Sequence, residues 1–252
     1  MAKSMESQRK YEANECDMIW ERDVVVENIS YRVVISDEAE TLLAAKAAGR
    51  VVVGCLGKDG KGQFPMARYL VETVDVADEH YLERVIRREK GLPWRIGESG
   101  RLRLREFVVE DIAQIPMEPG DEPGDQVFYD PEKLAAYIHS QYGFLEYGLW
   151  AVERKEDGKI LGKAGITDCD TSGDFELAYH IFLPYRRQGY GEEACRIVLN
   201  YVKKEYSPQG VYAVIEASND ASAGLLKKLG FTFQGSECSG ERHRYCLGGL
   251  CY

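Results

Sequence analysis

A basic, glycine-containing loop between a predicted strand and a predicted helix constrains the fold of this chain more than any other feature. The loop covers residues 186–191 and reads Arg-Arg-Gln-Gly-Tyr-Gly. Before it, residues 175–183 form an apolar, aromatic-rich segment typical of a strand, which Pro184 ends. After it, apolar residues recur at helical spacing from Glu192 to Lys204. This order predicts an α/β unit with the loop at the N-terminus of a helix.

Such a loop is suited to binding an anion. Gly189 and Gly191 allow the backbone to turn its N–H groups towards one point, which the positive end of the helix dipole also faces. The spacing excludes a dinucleotide fingerprint, which needs a third glycine, and no Gly-Lys-Ser/Thr of a P-loop is present. A second predicted strand, Val211 to Ala217, leads into residues 219–231, which read Asn-Asp-Ala-Ser-Ala-Gly-Leu-Leu-Lys-Lys-Leu-Gly-Phe.

Together these segments resemble the GCN5-related N-acetyltransferase (GNAT) family. In that family a loop of the form Gln/Arg-x-x-Gly-x-Gly/Ala grips the pyrophosphate of acetyl-CoA, and an Asn-x-x-Ser…Lys-Leu-Gly-Phe helix follows. The resemblance covers about Ile96 to the C-terminus, and Ser222 places it nearest the ribosomal-protein Ser/Ala N-acetyltransferases. It implies an α/β (α+β) fold with a mixed, mostly antiparallel central sheet flanked by helices. Residues 98–107 look like the first strand of that fold, and residues 176–181 like its fourth.

The resemblance also implies acetyl-CoA as the co-substrate and no metal. Its pantetheine arm would pair with the strand backbone around His180 to Leu183, and its pyrophosphate would lie on the N–H groups of the loop. Arg186 matches the first position of the motif, and at least one of the two loop arginines is expected to face a phosphate. The predicted cofactor-binding residues are Ile181, Phe182, Leu183, Arg186, Arg187, Gln188, Gly189, Tyr190, Gly191, Glu192, Asn219 and Ser222.

Acetyl transfer to an amine needs a deprotonated nucleophile and a proton for the departing thiolate. The family often takes that proton from a Tyr of the last helix, but Leu226 occupies the slot here. In the Ser-type group the hydroxyl of Ser222 is the proposed acid, although it could instead only bond a backbone carbonyl. For the base, Glu176 is the first candidate, acting directly or through a water, and Glu216 and His180 follow. Glu176 could alternatively only orient the substrate.

Composition narrows the function classes. The net charge of −10 argues against sequence-independent binding of nucleic acid, which depends on Lys and Arg against phosphate. No run is long and apolar enough to span a membrane. Seven cysteines without a Cys-x-x-Cys pair, and without a secretory signal before them, predict free thiols in a reducing cytoplasm. Cys195 is expected to be a small buried residue of the helix after the loop, not a nucleophile.

The first part of the chain predicts a separate small domain. Tyr31–Ile35 indicates a strand, Asp37–Ala48 a helix and Val51–Val53 another strand, which is a βαβ-like order. Asp78 is a plausible N-cap of a helix that reaches Lys90. We place the boundary at 91–98, which gives domains 1–95 and 96–252.

Residues 34–51 also resemble the second motif of haloacid dehalogenase-like hydrolases, with Ser36 at the end of a strand. No Asp-x-Asp nucleophile lies before residue 36, so the chemistry of that family is excluded. We interpret residues 1–95 as a truncated Rossmann-like remnant, structural or regulatory, and not as a second enzyme. Residues 168–174 imitate a hydrolase motif and a calcium loop, but an acidic hairpin turn explains them better.

Two functions are consistent with these patterns. One is an N-acetyltransferase that acts on a primary amine of a small molecule or on a protein N-terminus. The alternative is a catalytically weak CoA-binding sensor or scaffold, with the N-terminal domain as an interaction module and the missing Tyr as the sign of lost catalysis. A homodimer is left open. Irregular loops such as 112–130 would select the acceptor, and Tyr142, Tyr147 and Trp150 either line its pocket or belong to the core.

Overall fold

The computed structural model describes residues 19–57, 63–118, 123–169, 173–237 and 240–248, without the side chains of 123–125, 168 and 169. Residues 58–62, whose sequence Lys-Asp-Gly-Lys-Gly predicts a turn, lie outside the described residues. So do the tip of the predicted acidic hairpin and parts of the 112–130 loop. The chain divides into two compact units, Met1–Trp94 and Arg95–Tyr252. No helix in the described ranges is both long and apolar enough to cross a membrane.

The first unit is built on a four-stranded sheet of order β1-β2-β3-β4. Its strands are β1 (Ile19–Val26), β2 (Ile29–Ser36), β3 (Val51–Cys55) and β4 (Leu70–Val71), and its helices are α1 (Ala39–Ala47) and α2 (Glu79–Glu89). The β1–β2 pair is antiparallel, whereas β2, β3 and β4 run parallel. Runs of β-branched residues favour this arrangement, because one face of the sheet is buried against α2 and the other face of β2 and β3 packs on α1.

The predicted βαβ unit of this sheet is present as β2, α1 and β3. The carboxylate of Asp78 caps α2 by accepting a hydrogen bond from the Tyr81 N–H at 2.7 Å, as predicted. Leu82, Val85 and Ile86 form the buried stripe of that helix. Strand β1 was not predicted, because polar and charged residues dominate the start of the chain. The relation to haloacid dehalogenase-like hydrolases stays a prediction.

The second unit contains an eight-stranded sheet of order β11-β12-β10-β9-β8-β7-β6-β5. Its strands are β5 (Arg95–Glu98), β6 (Leu102–Arg105), β7 (Leu149–Arg154), β8 (Ile160–Cys169), β9 (Phe175–Ile181), β10 (Val211–Glu216), β11 (Thr232–Glu237) and β12 (Arg242–Leu247). Its helices are α3 (Pro131–Tyr137), which continues as a π-helical segment Ile138–Leu145, α4 (Tyr190–Glu205) and α5 (Asp220–Lys228).

Within the residues that the structure describes, β9–β10 is the only parallel pair of this sheet, so the predicted mixed and mostly antiparallel sheet is confirmed. One detail was wrong. The stretch 98–107, expected to be a single strand, is a hairpin that turns between β5 and β6, because Ser99 and Gly100 interrupt it. The Ser99 N–H donates to the Leu102 carbonyl at 2.9 Å and closes the turn.

The two faces of this sheet carry different kinds of side chains. One face packs on the apolar side of α4, where the Trp150 ring meets the Tyr201 ring edge-on at 5.3 Å. On the other face the register aligns Arg105, Ala151, Lys163 and His180 across four strands. The segment between β6 and β7 covers this second face. Its Phe128 ring lies 4.4 Å from the Lys163 ammonium.

Candidate active site

An interruption in the sheet of the second unit opens a gap between β9 and β10. Their ladder consists of two residue pairs, Val211 with Phe175 and Tyr212 with Glu176. Beyond these pairs β10 continues to bond β12 as far as Glu216, whereas β9 continues to bond β8. The later residues of β9 therefore face the gap with one backbone edge that β10 does not pair. An extended ligand could add to this edge as a strand would.

Two protein side chains hold backbone groups of this edge. The Phe182 N–H donates to the Leu161 carbonyl of β8 at 2.9 Å. Because the backbone groups of successive residues in an extended chain point to alternate sides, those of Ile181 and Leu183 point towards the gap. The Ile181 carbonyl accepts a hydrogen bond from Arg186 Nε at 2.7 Å. The Leu183 N–H donates to a carboxylate oxygen of Glu118 at 2.5 Å. Ile181 and Leu183 belong to the predicted cofactor-binding set, whereas Glu118 was not predicted.

The predicted anion loop ends at the N-terminus of α4. Arg187 and Gly189 have left-handed backbone angles, φ 60° and φ 82°, and Gly189 is the N-cap of the helix. A glycine cap provides no side-chain acceptor, so the first N–H groups of α4 can bind an anion. A Cβ on Gly191 would lie 3.4 Å from Leu225 of α5 and 3.6 Å from Ile181. The loop, β9 and α5 thus meet at one place.

Arg101 stabilises this loop from the β5–β6 turn and was not among the predicted residues. Its guanidinium donates to the Gln188 carbonyl at 3.1 Å and to Glu193 at 2.8 Å, and it lies 4.5 Å above the Tyr190 ring. Burial alone would raise the pKa of Glu193, but hydrogen bonds from Ser99 and Arg101 lower that pKa below its usual value. No local pattern marks Arg101, because its partners are distant in the sequence.

Ser222 and Asn219 lie together at the start of α5. The Asn219 side chain caps the helix by accepting a hydrogen bond from the Ser222 N–H at 3.0 Å. The Tyr179 hydroxyl donates to the Ser222 carbonyl at 3.5 Å, and burial raises the pKa of Tyr179 to about 12. Leu226, in the slot of the family's Tyr, is fully buried. Contact of Asn219 or Ser222 with a cofactor stays a prediction.

The candidate bases, unlike Asn219 and Ser222, do not lie together at one place. Alternation along β9 places Glu176 and His180 on the face that carries Lys163, and Tyr179 on the face of α4. Glu176 and His180 are half-buried, whereas Glu216 ends β10 and is exposed. Glu176 and Ser222 therefore approach β9 from opposite faces of the sheet. No contact joins Glu216 to either of them among the interactions that the structure describes.

The remaining predicted residues belong to the core. Tyr142 and Trp150 are buried, and the Tyr142 hydroxyl donates to the Leu149 carbonyl. Tyr147 is half-buried, with its ring 5.4 Å from Phe175. Cys195 is a buried free thiol of α4, and burial raises its pKa well above the usual range, as expected for a packing residue.

None of the described residues form a group of three or more His, Cys, Asp or Glu that could hold a metal ion.

Comparisons with known proteins agree with this geometry. The family model described as an acetyltransferase (GNAT) domain matches residues 101–232, just over half of the chain. The SPbeta prophage-derived uncharacterized N-acetyltransferase YokL of Bacillus subtilis is 34% identical over 144 residues, which are 53% of this chain and 77% of that protein. The uncharacterized N-acetyltransferase YjdG of the same organism is 26% identical over 113 residues, 44% of this chain and 67% of that protein.

A crystal structure described as a probable acetyltransferase has the same fold. It aligns with a TM-score of 0.51 and 19% identity over 62% of this chain and 96% of its own. The chain therefore belongs to the GNAT acetyltransferase family. It is an N-acetyltransferase, and the matched region contains the anion loop and the gap between β9 and β10.

Proposed function

We propose that the protein transfers the acetyl group of acetyl-CoA to a primary amine, either of a small molecule or of a protein N-terminus. The observation that carries this proposal is the interrupted β9–β10 ladder beside the glycine-capped N-terminus of α4. An elongated arm that ends in an anionic group fits this pair of features. The arm would add to the free edge of β9, and the anion would lie on the N–H groups of α4.

The predicted cofactor residues support this fit by their position. Ile181 ends β9, Phe182 and Leu183 directly follow it, and residues 186–192 form the loop and the first turn of α4. Gly189 and Gly191 let the backbone approach the pyrophosphate closely, because neither carries a side chain. Asn219 and Ser222 lie at the start of α5, whose Leu225 would be 3.4 Å from a Cβ on Gly191 of the loop.

The two catalytic groups of the proposal approach β9 from opposite faces. Glu176, or a water that it holds, takes a proton from the acceptor ammonium, and the resulting amine forms a C–N bond with the thioester carbon. The C–S bond then breaks, and the thiolate receives a proton from the Ser222 hydroxyl. The second proton of the attacking nitrogen passes through water to the Ser222 alkoxide, which restores the hydroxyl, and Glu176 releases its proton to solvent.

One observation favours the alternative function of a catalytically weak CoA sensor or scaffold. The slot from which the family usually supplies a Tyr hydroxyl contains Leu226, which is fully buried and apolar. If Ser222 does not replace that hydroxyl, the site could bind CoA without efficient transfer. In both functions we assign the N-terminal unit a structural or regulatory role, and we place the protein in a reducing cytoplasm because Cys55, Cys195 and Cys246 are free thiols.

The test is the release of thiol from acetyl-CoA in the presence of single amines. The panel should contain spermidine, tyramine and short peptides that begin with Ser or Ala, with each amine omitted as a control. Thiol release that depends on one of these amines is the expected result. Acetyl-CoA binding in a calorimeter without any amine-dependent release would favour the sensor, and absence of binding would contradict both functions.

A further inference from the structure

A buried carboxylate of Glu118 connects the loop predicted to select the acceptor with the end of β9. Glu118 lies in the described segment 115–118, which follows a 3₁₀ turn, Val109–Gln114, on the covered face of the sheet. Its side chain is only 5% exposed. A carboxylate buried this deeply lowers the stability of the fold unless charged or hydrogen-bonding groups surround it. The groups around Glu118 therefore indicate what its side chain does.

Three groups of the cofactor strand and loop surround this carboxylate. One oxygen lies 2.6 Å from His180 Nε2 and 3.5 Å from the Arg186 guanidinium. The other oxygen accepts the hydrogen bond from the Leu183 N–H at 2.5 Å. Hydrogen bonds to a charged acceptor are about twice as strong as neutral ones, so this contact fixes segment 115–118 on β9.

The same contact occupies an edge that the proposed function assigns to acetyl-CoA. The Leu183 N–H faces the gap, and so does the Ile181 carbonyl, which Arg186 occupies. A pantetheine arm that pairs with this edge must compete with Glu118 and Arg186 for these groups. The His180 contact lies on the other side of the carboxylate and does not take part in that competition.

Resting on the proposed function, we propose that Glu118 is a positioning residue that couples the acceptor segment 115–118 to the occupancy of the β9 edge. Without acetyl-CoA, Glu118 holds the segment on Leu183. When acetyl-CoA binds, the Leu183 N–H passes to the pantetheine arm. Glu118 thereby loses one of these three contacts, so the segment is held less tightly and can admit an amine. The coupling between this contact and acetyl-CoA binding is reciprocal. The Glu118 contact therefore weakens acetyl-CoA binding by a certain factor, and bound acetyl-CoA weakens the Glu118 contact by the same factor.

The test combines amide hydrogen exchange by NMR with calorimetry on the full chain. In the absence of acetyl-CoA, Glu118→Ala should speed exchange of the Leu183 amide about tenfold or more, because a charge-assisted hydrogen bond is lost. In the wild type, acetyl-CoA should speed exchange of the Ile115 amide, which donates to the Ile112 carbonyl at 3.3 Å. In Glu118→Ala, acetyl-CoA should bind several-fold more tightly and leave the exchange at Ile115 unchanged.

Further variants separate positioning from a general loss of structure. Glu118→Asp retains the charge and should restore part of the Leu183 protection, whereas Glu132→Gln, in exposed α3, should leave all readouts at wild-type values. If Glu118→Ala does not fold, Glu118→Gln tests the loss of charge alone by the same measurements. Equal protection of Leu183 in the wild type and in the Glu118 variants overturns the coupling, as does weaker acetyl-CoA binding by Glu118→Ala. Failure of the wild type to bind acetyl-CoA would instead contradict the proposed function, and calorimetry on the wild type alone shows it.

Discussion

The two units contain the same local arrangement, a strand followed by a loop and a helix, with different endings. In the first unit β2 leads into α1 through Asp37 and Glu38, and β2 pairs with β3 up to its last residue, Ser36 with Gly54. The Ser36 hydroxyl accepts a hydrogen bond from the Glu38 N–H at 3.0 Å. In the second unit β9 leads into α4 through residues 182–189, and its parallel ladder with β10 stops after two pairs.

This difference separates a closed structural element from the proposed binding site. A Cβ on Gly54 would lie 2.6 Å from the side chains of Phe64 and Leu70, so these two side chains fill the space beside the end of the β2–β3 ladder. At the end of β9, backbone groups instead face a gap, and the N-cap of α4 has no side chain. Parallel strands can bind ligands at their carboxyl ends only where neighbouring strands separate.

The largest expected effect is on turnover, and it should be confined to the second unit. Ser222→Ala and Glu176→Gln should each reduce the amine-dependent thiol release about a hundredfold or more, while acetyl-CoA binding is retained. Glu176→Gln should also remove the acidic limb of the pH–rate profile, because a base must be deprotonated to act. Ser36→Ala, at the corresponding strand end of the first unit, should keep full turnover. A full-rate Ser222→Ala enzyme with an unaltered pH profile in Glu176→Gln would contradict both roles.

The next effect is on affinity. Gly189→Val forces a β-branched residue into φ 82°, which costs about 1–2 kcal/mol and should weaken acetyl-CoA binding about tenfold or more. Gly49→Val imposes a similar strain at φ 75° after α1 and serves as the matched control. It should lower the free energy of unfolding without changing the acetyl-CoA affinity in a calorimeter. Unchanged affinity in Gly189→Val would show that the pyrophosphate lies elsewhere.

A smaller effect compares two helix caps of the same kind. Asp78→Ala and Asn219→Ala each remove one cap, and each should lower the free energy of unfolding in urea by about 1 kcal/mol. Asn219→Ala should in addition weaken acetyl-CoA binding, since α5 lines the proposed site. If both variants bind acetyl-CoA as the wild type does, Asn219 is only a cap.

The last expected result is the absence of phosphatase activity. The first unit has no Asp-x-Asp nucleophile, so the protein should not hydrolyse p-nitrophenyl phosphate with Mg²⁺. Asp37→Ala serves as the comparison, because Asp37 directly follows the strand-terminal Ser36. Hydrolysis that disappears in Asp37→Ala would show that the closed strand end is a second active site.

The local elements of the site could be predicted from the sequence because their signals are short-range. Gly189 and Gly191 mark the loop, alternating apolar residues mark β9, and the Asn219 cap is three residues from the N–H that it accepts. Each of these patterns depends on backbone conformation or on spacing within one element. The mixed sheet of the second unit followed from the family resemblance that these patterns carry.

Contacts between distant segments were decided only by the tertiary structure. Arg101 reaches Gln188, and Glu118 reaches Leu183, across long stretches of chain, and neither side chain differs by its local pattern from other charged residues. Which side of the sheet each face of β9 points to was also decided only by the tertiary structure. Alternation predicts that Glu176 and Tyr179 point to opposite sides, but only packing against α4 decides which side is which. The sequence thus determined the anion loop and the helix that it opens, because backbone conformation is set by neighbouring residues. The tertiary structure decided which side chains hold that loop and that strand edge, because such partners are selected by burial and charge in three dimensions.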